Sequence, residues 1–166
     1  MANQDAAFGL KAIGKVGQNR DNQGLSEYGI AASSSAIYQN DPVMMAATGK
    51  IIVGTAAAVL LGSLNGVFFT DATTEKPTYA NHLNASNTAT DIVGFVSDDP
   101  YERFEIQSDA ALTVAEVGLN ADIVYAAGAT PNYVSKVELD HSDLKTAIAQ
   151  LRVIGISKDP QNNAAG

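Results

Sequence analysis

The chain has 166 residues, a net charge of −8 and no cysteine. The lack of cysteine excludes disulfides, thiolate zinc sites and cysteine nucleophiles, and the negative charge argues against tight nucleic-acid binding, which depends on Lys and Arg neutralising phosphates. Charged residues make up only 17% of the chain, against roughly 25% in typical soluble domains. A surface poor in charge suits a protein that packs against others.

Residues 1–35 show little hydrophobic periodicity, and glycine and polar residues are spread through them. We predict an extended N-terminal arm that orders mainly where it lies on another surface. Residues 1–20 carry a net charge of +2 and the remainder carries −10. Two interpretations follow: a solvated tail, or a basic arm lying on an acidic neighbour. The apolar anchors of the arm are Phe8, Leu10, Ile13 and Val16.

Short strands separated by turns are predicted after the arm. Asn40-Asp41-Pro42 and Gly49-Lys50 have the composition of turns. Residues 56–61 fit either a buried strand or a loop. Asn65-Gly66 predicts a hairpin turn, because both residues tolerate positive φ. The predicted strands are 27–31, 43–47, 51–53 and 67–69.

A polar stretch at 71–90 interrupts the strands and is rich in threonine and asparagine. Tyr79 and Leu83 are its only larger apolar side chains. A loop of this length without structure of its own is uncommon in a compact domain and is often functional. We predict an excursion on the exposed face of the domain, with a short strand over 78–80.

Residues 91–109 predict two strands joined by one turn. Apolar β-formers precede Asp98-Asp99-Pro100, which has the chemistry of a turn because proline fixes its own φ and Asp bonds nearby backbone groups. After the turn, Phe104 and Ile106 alternate with polar residues. That period of two is typical of a strand with one buried face. We therefore expect a hairpin at the centre of the chain.

The last third predicts short elements again. Thr113 and Glu116 have the spacing of a capping box, which predicts a helical turn over 113–117. Asp140 begins a second short helix that we expect to run to about 149. Strands are predicted over 121–126, 133–139 and 151–156, and residues 161–166 form a tail.

Two patterns that resemble functional motifs are rejected. Gly9 to Gly14-Lys15 has the spacing of a phosphate-binding loop, but Val16 stands where a Ser or Thr would bind magnesium and no apolar strand precedes it. The longest apolar run, 51–69, is broken by glycine and polar residues, whereas a spanning helix needs about 20 mainly apolar residues. We expect no nucleotide site and no membrane span.

Metal and catalytic sites are also not expected. His82 and His141 lack the spacing of metal ligands. Four acids fall within 98–105, but the calcium-loop pattern is missing, so a turn with a solvated face is the favoured interpretation. We therefore predict no enzyme, no catalytic residue, no metal and no cofactor.

Five segments of the chain form a familiar set: MANQDAAFGLK, DDPYERFEIQSDA, NADIVYAAG, KVELD and AQLRVIGISKDP. The most telling part is the FEIQ strand after a DDP turn, followed by the late LR-x-x-G-x-x-x-D-P pattern. Together these segments resemble a family of virion structural proteins of tailed bacteriophages, the head decoration or cement proteins. The resemblance implies a place on the capsid exterior, the major capsid protein as partner, and a homo-oligomer, by analogy a trimer.

The sequence thus predicts a mainly β fold, a compact β-barrel or sandwich of roughly seven to nine short strands with one or two short helices. It divides into an arm at 1–35, a β-rich domain at 36–160 and a tail at 161–166. The expected function is capsid stabilisation without nucleic-acid or membrane partners. The alternative is a receptor- or glycan-binding head appendage that uses the excursion as its tip. The predicted capsid-contact residues are Phe8, Leu10, Lys11, Ile13 and Lys15.

Overall fold

The computed structural model describes residues 5–17, 24–32 and 34–158. Within them the chain is mainly β, as predicted, with two short 3₁₀ turns at Val114–Glu116 and His141–Asp143. The strands are β1 (Lys11–Lys15), β2 (Ser26–Gly29), β3 (Pro42–Met45), β4 (Ile51–Val53), β5 (Gly62–Thr70), β6 (Pro77–Ala80), β7 (Val93–Ser97), β8 (Glu102–Glu105), β9 (Asn120–Ala121), β10 (Ile123–Val124), β11 (Glu138–Leu139) and β12 (Leu151–Arg152). The predicted tail and residues 1–4, 18–23 and 33 of the predicted arm lie outside the described residues.

The largest sheet is antiparallel and is built around β5. Its order is β2-β7-β5-β3-β4, and β6 also pairs with β5. β5 has nine residues. Its beginning pairs with β3, and its end pairs with β6. The end strands β2 and β4 are linked by an isolated bridge between Ile30 and Ile51 rather than by a continuous ladder. In the described residues the sheet does not close, so the predicted barrel is wrong.

The main core lies on one face of this sheet. In β7, Gly94 and Val96 are buried while Val93 and Phe95 are half-buried, because successive side chains of a strand point to opposite faces. A Cβ at Gly94 would lie 2.9 Å from Ile51 Cδ1, so only glycine lets the core pack this closely on β7. The buried core residues are Ile30, Ile37, Val43, Ile51, Leu64, Val67, Leu83, Ala89, Ile92 and Val96.

The polar excursion is anchored on this core. The short strand predicted at 78–80 is confirmed as β6. Leu83 is fully buried, and its backbone exchanges two hydrogen bonds with Ile37, at 2.7 and 3.0 Å. One apolar side chain and one bridge therefore hold the middle of this stretch against the domain.

Three two-stranded antiparallel sheets complete the described fold: β1 with β8, β10 with β11, and β9 with β12. A second, smaller core lies among them, formed by Ala121, Leu139 and Val153. Ile106 and Leu112 pack against it. The last third of the chain therefore has apolar packing of its own.

The central hairpin predicted at 91–109 is wrong, although both of its strands form. β7 pairs with β2 and β5, whereas β8 pairs with β1. The turn carboxylates bind other elements: the Tyr28 hydroxyl donates to Asp98 Oδ2 at 2.6 Å, and Lys15 forms an ion pair with Asp99. These contacts turn the chain from one sheet into another.

The turn predicted at Asn65-Gly66 is also wrong, because these residues lie inside β5. The register against β7 shifts between Leu64 and Gly66, which makes Asn65 a β-bulge. Neither residue has a positive φ, because β5 pairs with β7 on both sides of the bulge and stays extended. The Asn-Gly pair marks an irregularity of the strand rather than its end.

Both predicted helical segments form only a single 3₁₀ turn, which was the expectation for the first and falls short of it for the second. At Val114–Glu116 the capping box is confirmed, with the Thr113 N–H donating to the Glu116 carboxylate at 2.5 Å. The helix predicted from Asp140 to about 149 is wrong beyond His141–Asp143. Lys145 instead exchanges two backbone hydrogen bonds with Asn120, at 2.8 and 2.9 Å, which keeps this stretch extended.

Candidate partner-binding surface

The residues just before β1 are anchored in their own domain. Leu10 is only 1% exposed. Its N–H donates to the Asn40 carbonyl at 2.9 Å, and its carbonyl accepts from the buried Ser63 hydroxyl at 2.6 Å. The half-buried Phe8 is held by its carbonyl, which accepts from Asn40 Nδ2 at 3.0 Å. Phe8 and Leu10 are therefore engaged within the chain.

The two lysines of β1 bind acids of the same chain. Lys11 Nζ lies 3.7 Å from Glu105 Oε2, and Lys15 forms an ion pair with Asp99. The hydrogen bond from Lys15 lowers the pKa of Asp99 below its usual value. The acidic neighbour of these lysines thus lies in their own domain, in and just before the strand that pairs with β1.

Ile13 is different, because it points out of the ladder. The register of β1 against β8 shifts between Ala12 and Gly14, which leaves Ile13 as the extra residue of a β-bulge. Its side chain is 52% exposed. Of the five predicted contact residues, Ile13 is the one whose apolar side chain remains open for a partner.

Ile13 lines a cleft of about 770 Å³ between β1, β8 and the last described stretch of the chain. Several exposed or half-buried apolar side chains face it. The apolar lining residues are Leu10, Ile13, Val16, Leu60, Leu61, Phe104, Ile106, Leu112, Leu139, Leu151, Val153, Ile154 and Ile156. We call this the β1 cleft. It brings together residues that are more than 140 positions apart in the sequence.

Sequence reasoning missed most of this lining. Leu60 and Leu61 belong to the stretch at 56–61, whose sequence fits either a buried strand or a loop. In the structure it is a loop leading into β5. Ile154 lies in the strand predicted at 151–156, of which only β12 forms. Both stretches are recognisable in the sequence as apolar, but no spacing of residues could place them beside β1.

The charges of the β1 cleft differ from those of the whole chain. Arg103, Arg152 and Lys158 all line the cleft, and within the described residues none of them forms an ion pair. Glu102 is a lining acid without an ion-pair partner in the same residues, while the other two lining carboxylates pair with the lysines of β1. Among the lining charges without an ion pair in these residues, three are positive and one is negative, on a chain of charge −8.

A second exposed surface lies on the outer face of the large sheet. Phe68, Tyr79 and Phe95 come from the neighbouring strands β5, β6 and β7 and form one cluster. The Tyr79 ring centroid lies 4.8 Å from that of Phe68 and 6.4 Å from that of Phe95, and the planes of Tyr79 and Phe95 differ by 14°. Tyr79 is 75% exposed. We call these three residues the aromatic face.

The residues considered for catalysis or metal binding have structural partners. His82 stacks on Tyr133 with ring centroids 3.7 Å apart, and His141 Nε2 lies 3.1 Å from a Glu116 carboxylate oxygen. Burial lowers the pKa of His82. Among the residues that the structure describes, no three His, Asp or Glu side chains come together as a metal site.

Residues 9–15, which have the spacing of a phosphate-binding loop, include strand β1 and no helix, so they lack the helix N-terminus such a loop uses. Outside 1–4, 18–23, 33 and 159–166, no helix has the length and apolar character needed to cross a bilayer. Comparison of the chain with protein-family models, curated proteins and solved structures finds no match.

Proposed function

We propose that the chain is a bacteriophage head decoration protein that binds the outer face of the major capsid protein and stabilises the shell. The observation that carries the proposal is the β1 cleft, an open apolar surface beside the strand that holds three of the five predicted contact residues. Exposed apolar surface that is contiguous and rimmed by polar residues is typical of protein–protein contact sites. Ile13 and Val16 are both about half-exposed there, at 52% and 53%.

The composition is compatible with this role. A cement protein acts by adding buried area between capsid subunits, and specific interfaces bury about 1,200–2,000 Å². The weak binding of one copy is offset when many copies engage a repeating shell. A homo-oligomer, by analogy a trimer, belongs to the same proposal, as does a sandwich-like packing of the sheets.

The test uses substitutions rather than deletion of the arm. Deleting residues 2–20 would remove the buried Leu10, so a loss of binding would report unfolding as well as docking. Ile13→Asp places a charge in the β1 cleft, and Ile148→Asp makes the same change at a side chain that is 97% exposed and does not line the cleft. Both variants should keep the wild-type circular dichroism spectrum.

Binding is measured by co-sedimentation with capsid shells of a tailed phage that encodes the chain, from which the decoration layer has been stripped. We expect the wild type and I148D to sediment with the shells and I13D to remain in solution. Electron microscopy of the restored shells should show the added mass on their outer surface. Retention of I13D at wild-type occupancy would refute docking through the cleft, and failure of the wild type to sediment would refute the proposed function.

The second candidate function, glycan binding, is favoured by the aromatic face. Pyranose rings stack their C–H faces on exposed aromatic rings, and a tyrosine adds a hydroxyl at the edge of the platform. Tyr79 lies in the polar excursion and has the most exposed ring of the cluster. Screening the isolated protein against immobilised host polysaccharides, with Tyr79→Ala as the variant, tests it: binding that Y79A abolishes would support this function over capsid stabilisation.

A further inference from the structure

We infer that the β1 cleft binds an extended acidic segment of a partner protein, which adds as a strand along residues 154–156. The inference deepens the proposed function and rests on it for the identity of the partner, the major capsid protein. The chemistry of the bound segment follows from three features of the cleft itself: unused backbone groups, apolar walls and uncompensated positive charge.

The backbone groups are the first feature. Val153 is the last residue of this stretch whose backbone is paired. Its N–H donates to the Leu119 carbonyl at 2.9 Å, and its carbonyl accepts from the Gly118 N–H at 2.8 Å. Beyond it, within the part of the chain that the structure describes, residues 154–156 make no backbone hydrogen bond. A row of unpaired N–H and C=O groups is a template for an added strand.

The apolar walls are the second feature. Ile154, which is 56% exposed, and Ile156 line the cleft on the side of the unpaired backbone, and Ile13 and Val16 line it on the side of β1. In strand addition the backbone supplies affinity and alternate side chains enter pockets on one side. A bound segment with apolar residues at every second position would bury these side chains.

The charges are the third feature. Arg103, Arg152 and Lys158 are three lining cations without an ion pair in the described residues, against Glu102 as the lining acid without one. Carboxylates on the bound segment would form charge-assisted hydrogen bonds with these cations. A basic segment would meet like charge, which suppresses wrong partners. The walls favour a peptide over a nucleic acid, because they are mostly apolar.

The experiment uses the full chain and three fluorescein-labelled peptides of nine residues with blocked ends. In the first, valine alternates with aspartate or glutamate; in the second, lysine replaces every acid; the third is the acidic peptide with alternate backbone nitrogens methylated. Fluorescence anisotropy measures binding at low and physiological salt. We expect the acidic peptide to bind at least roughly tenfold more tightly than each of the other two.

Two variants test the cations against a matched control. Arg152→Gln together with Lys158→Gln should weaken binding of the acidic peptide roughly tenfold or more. Lys136→Gln removes another exposed cation, which does not line the cleft, and should leave the affinity unchanged. Hydrogen–deuterium exchange should slow at the amides of 154–156 when the acidic peptide is bound, while the amide of Val153 is already protected without it.

Equal binding of the lysine peptide, or unchanged exchange at 154–156, would overturn the inference. It would also be overturned by a single-stranded oligonucleotide that competes for the same site, or by a self-association of the chain that I13D abolishes and the acidic peptide does not affect. The last two would assign the cleft to a nucleic acid or to a second copy. Peptide binding without co-sedimentation on capsid shells would leave the inference standing and refute the proposed function. Co-sedimentation without peptide binding would do the reverse.

Discussion

Asp41 makes the stability of this fold depend on pH in an unusual direction. Its side chain is fully buried beside the first residue of β3. Burial raises the pKa of its carboxyl from 3.8 to about 6, against the opposing effects of the Ser135 hydroxyl and the Tyr38 N–H. The Tyr38 N–H donates to Asp41 Oδ2 at 2.8 Å. The folded chain therefore keeps a proton that the unfolded chain loses near pH 4.

The sign and size of the effect follow from this difference. Between pH 4 and pH 6 the folded state binds more protons at Asp41 than the unfolded state, so the free energy of unfolding falls as the pH rises. The pKa difference between 3.8 and about 6 corresponds to about 3 kcal/mol, since each pKa unit is worth 1.36 kcal/mol. The contribution of Asp41 is fully present below about pH 4 and is lost as the pH rises through the folded-state pKa of about 6.

Asp41→Asn removes the charge at every pH and keeps an oxygen to accept from Tyr38. Relative to the wild type, we expect this variant to gain as much as about 3 kcal/mol of stability at pH 7. At pH 4 the two proteins should differ little, because the wild-type carboxyl is then protonated in the folded state. The advantage of D41N over the wild type should therefore grow between pH 4 and pH 6.

Urea unfolding followed by circular dichroism at pH 4, 5, 6 and 7 measures both proteins. Subtracting one stability curve from the other cancels the contributions of the groups that both proteins share. Among the described residues these include five carboxyls whose pKa values the fold lowers. Asp71→Asn is the control of opposite sign, because hydrogen bonds from Thr74 and Thr73 lower the pKa of Asp71. A stability difference between D41N and the wild type that is the same at pH 4 and pH 7 would refute the reasoning.

Three further predictions concern stability and are measured by urea unfolding at pH 7, with Ile148→Ala as the exposed control. Gly94→Ala should destabilise the chain by about 1–3 kcal/mol, because its Cβ would lie 2.9 Å from a methyl carbon of Ile51; an unchanged midpoint would mean that the core relaxes freely. Leu10→Ala should lower the free energy of unfolding by about 2–5 kcal/mol. A loss near zero would mean that residues 5–17 do not pack on the rest of the domain. Tyr28→Phe should cost about 1.5–3 kcal/mol, since it removes a 2.6 Å hydrogen bond to a turn carboxylate; a neutral result would mean that water replaces the hydroxyl.

Local chemistry in the sequence was enough to locate many of the elements. Strands predicted at 43–47, 51–53 and 78–80 overlap β3, β4 and β6, because short apolar runs and flanking turn residues act over a few positions. The capping box at Thr113 formed for the same reason, since both of its partners lie within one turn. Ile13 was marked as a contact residue from its apolar character in a polar stretch, and its exposure in a bulge keeps that prediction open to test.

Which strand pairs with which was decided only in three dimensions. β7 and β8 are adjacent in sequence and share a strong turn, yet β8 pairs with β1, some 90 residues away. Lys145 was drawn from a predicted helix into a bridge with Asn120. The β1 cleft likewise needs residues from both ends of the chain. Sequence patterns report which face of an element is buried. The free energy of strand pairing depends instead on segments that are distant in the sequence, and it is the meeting of such segments that forms the cleft.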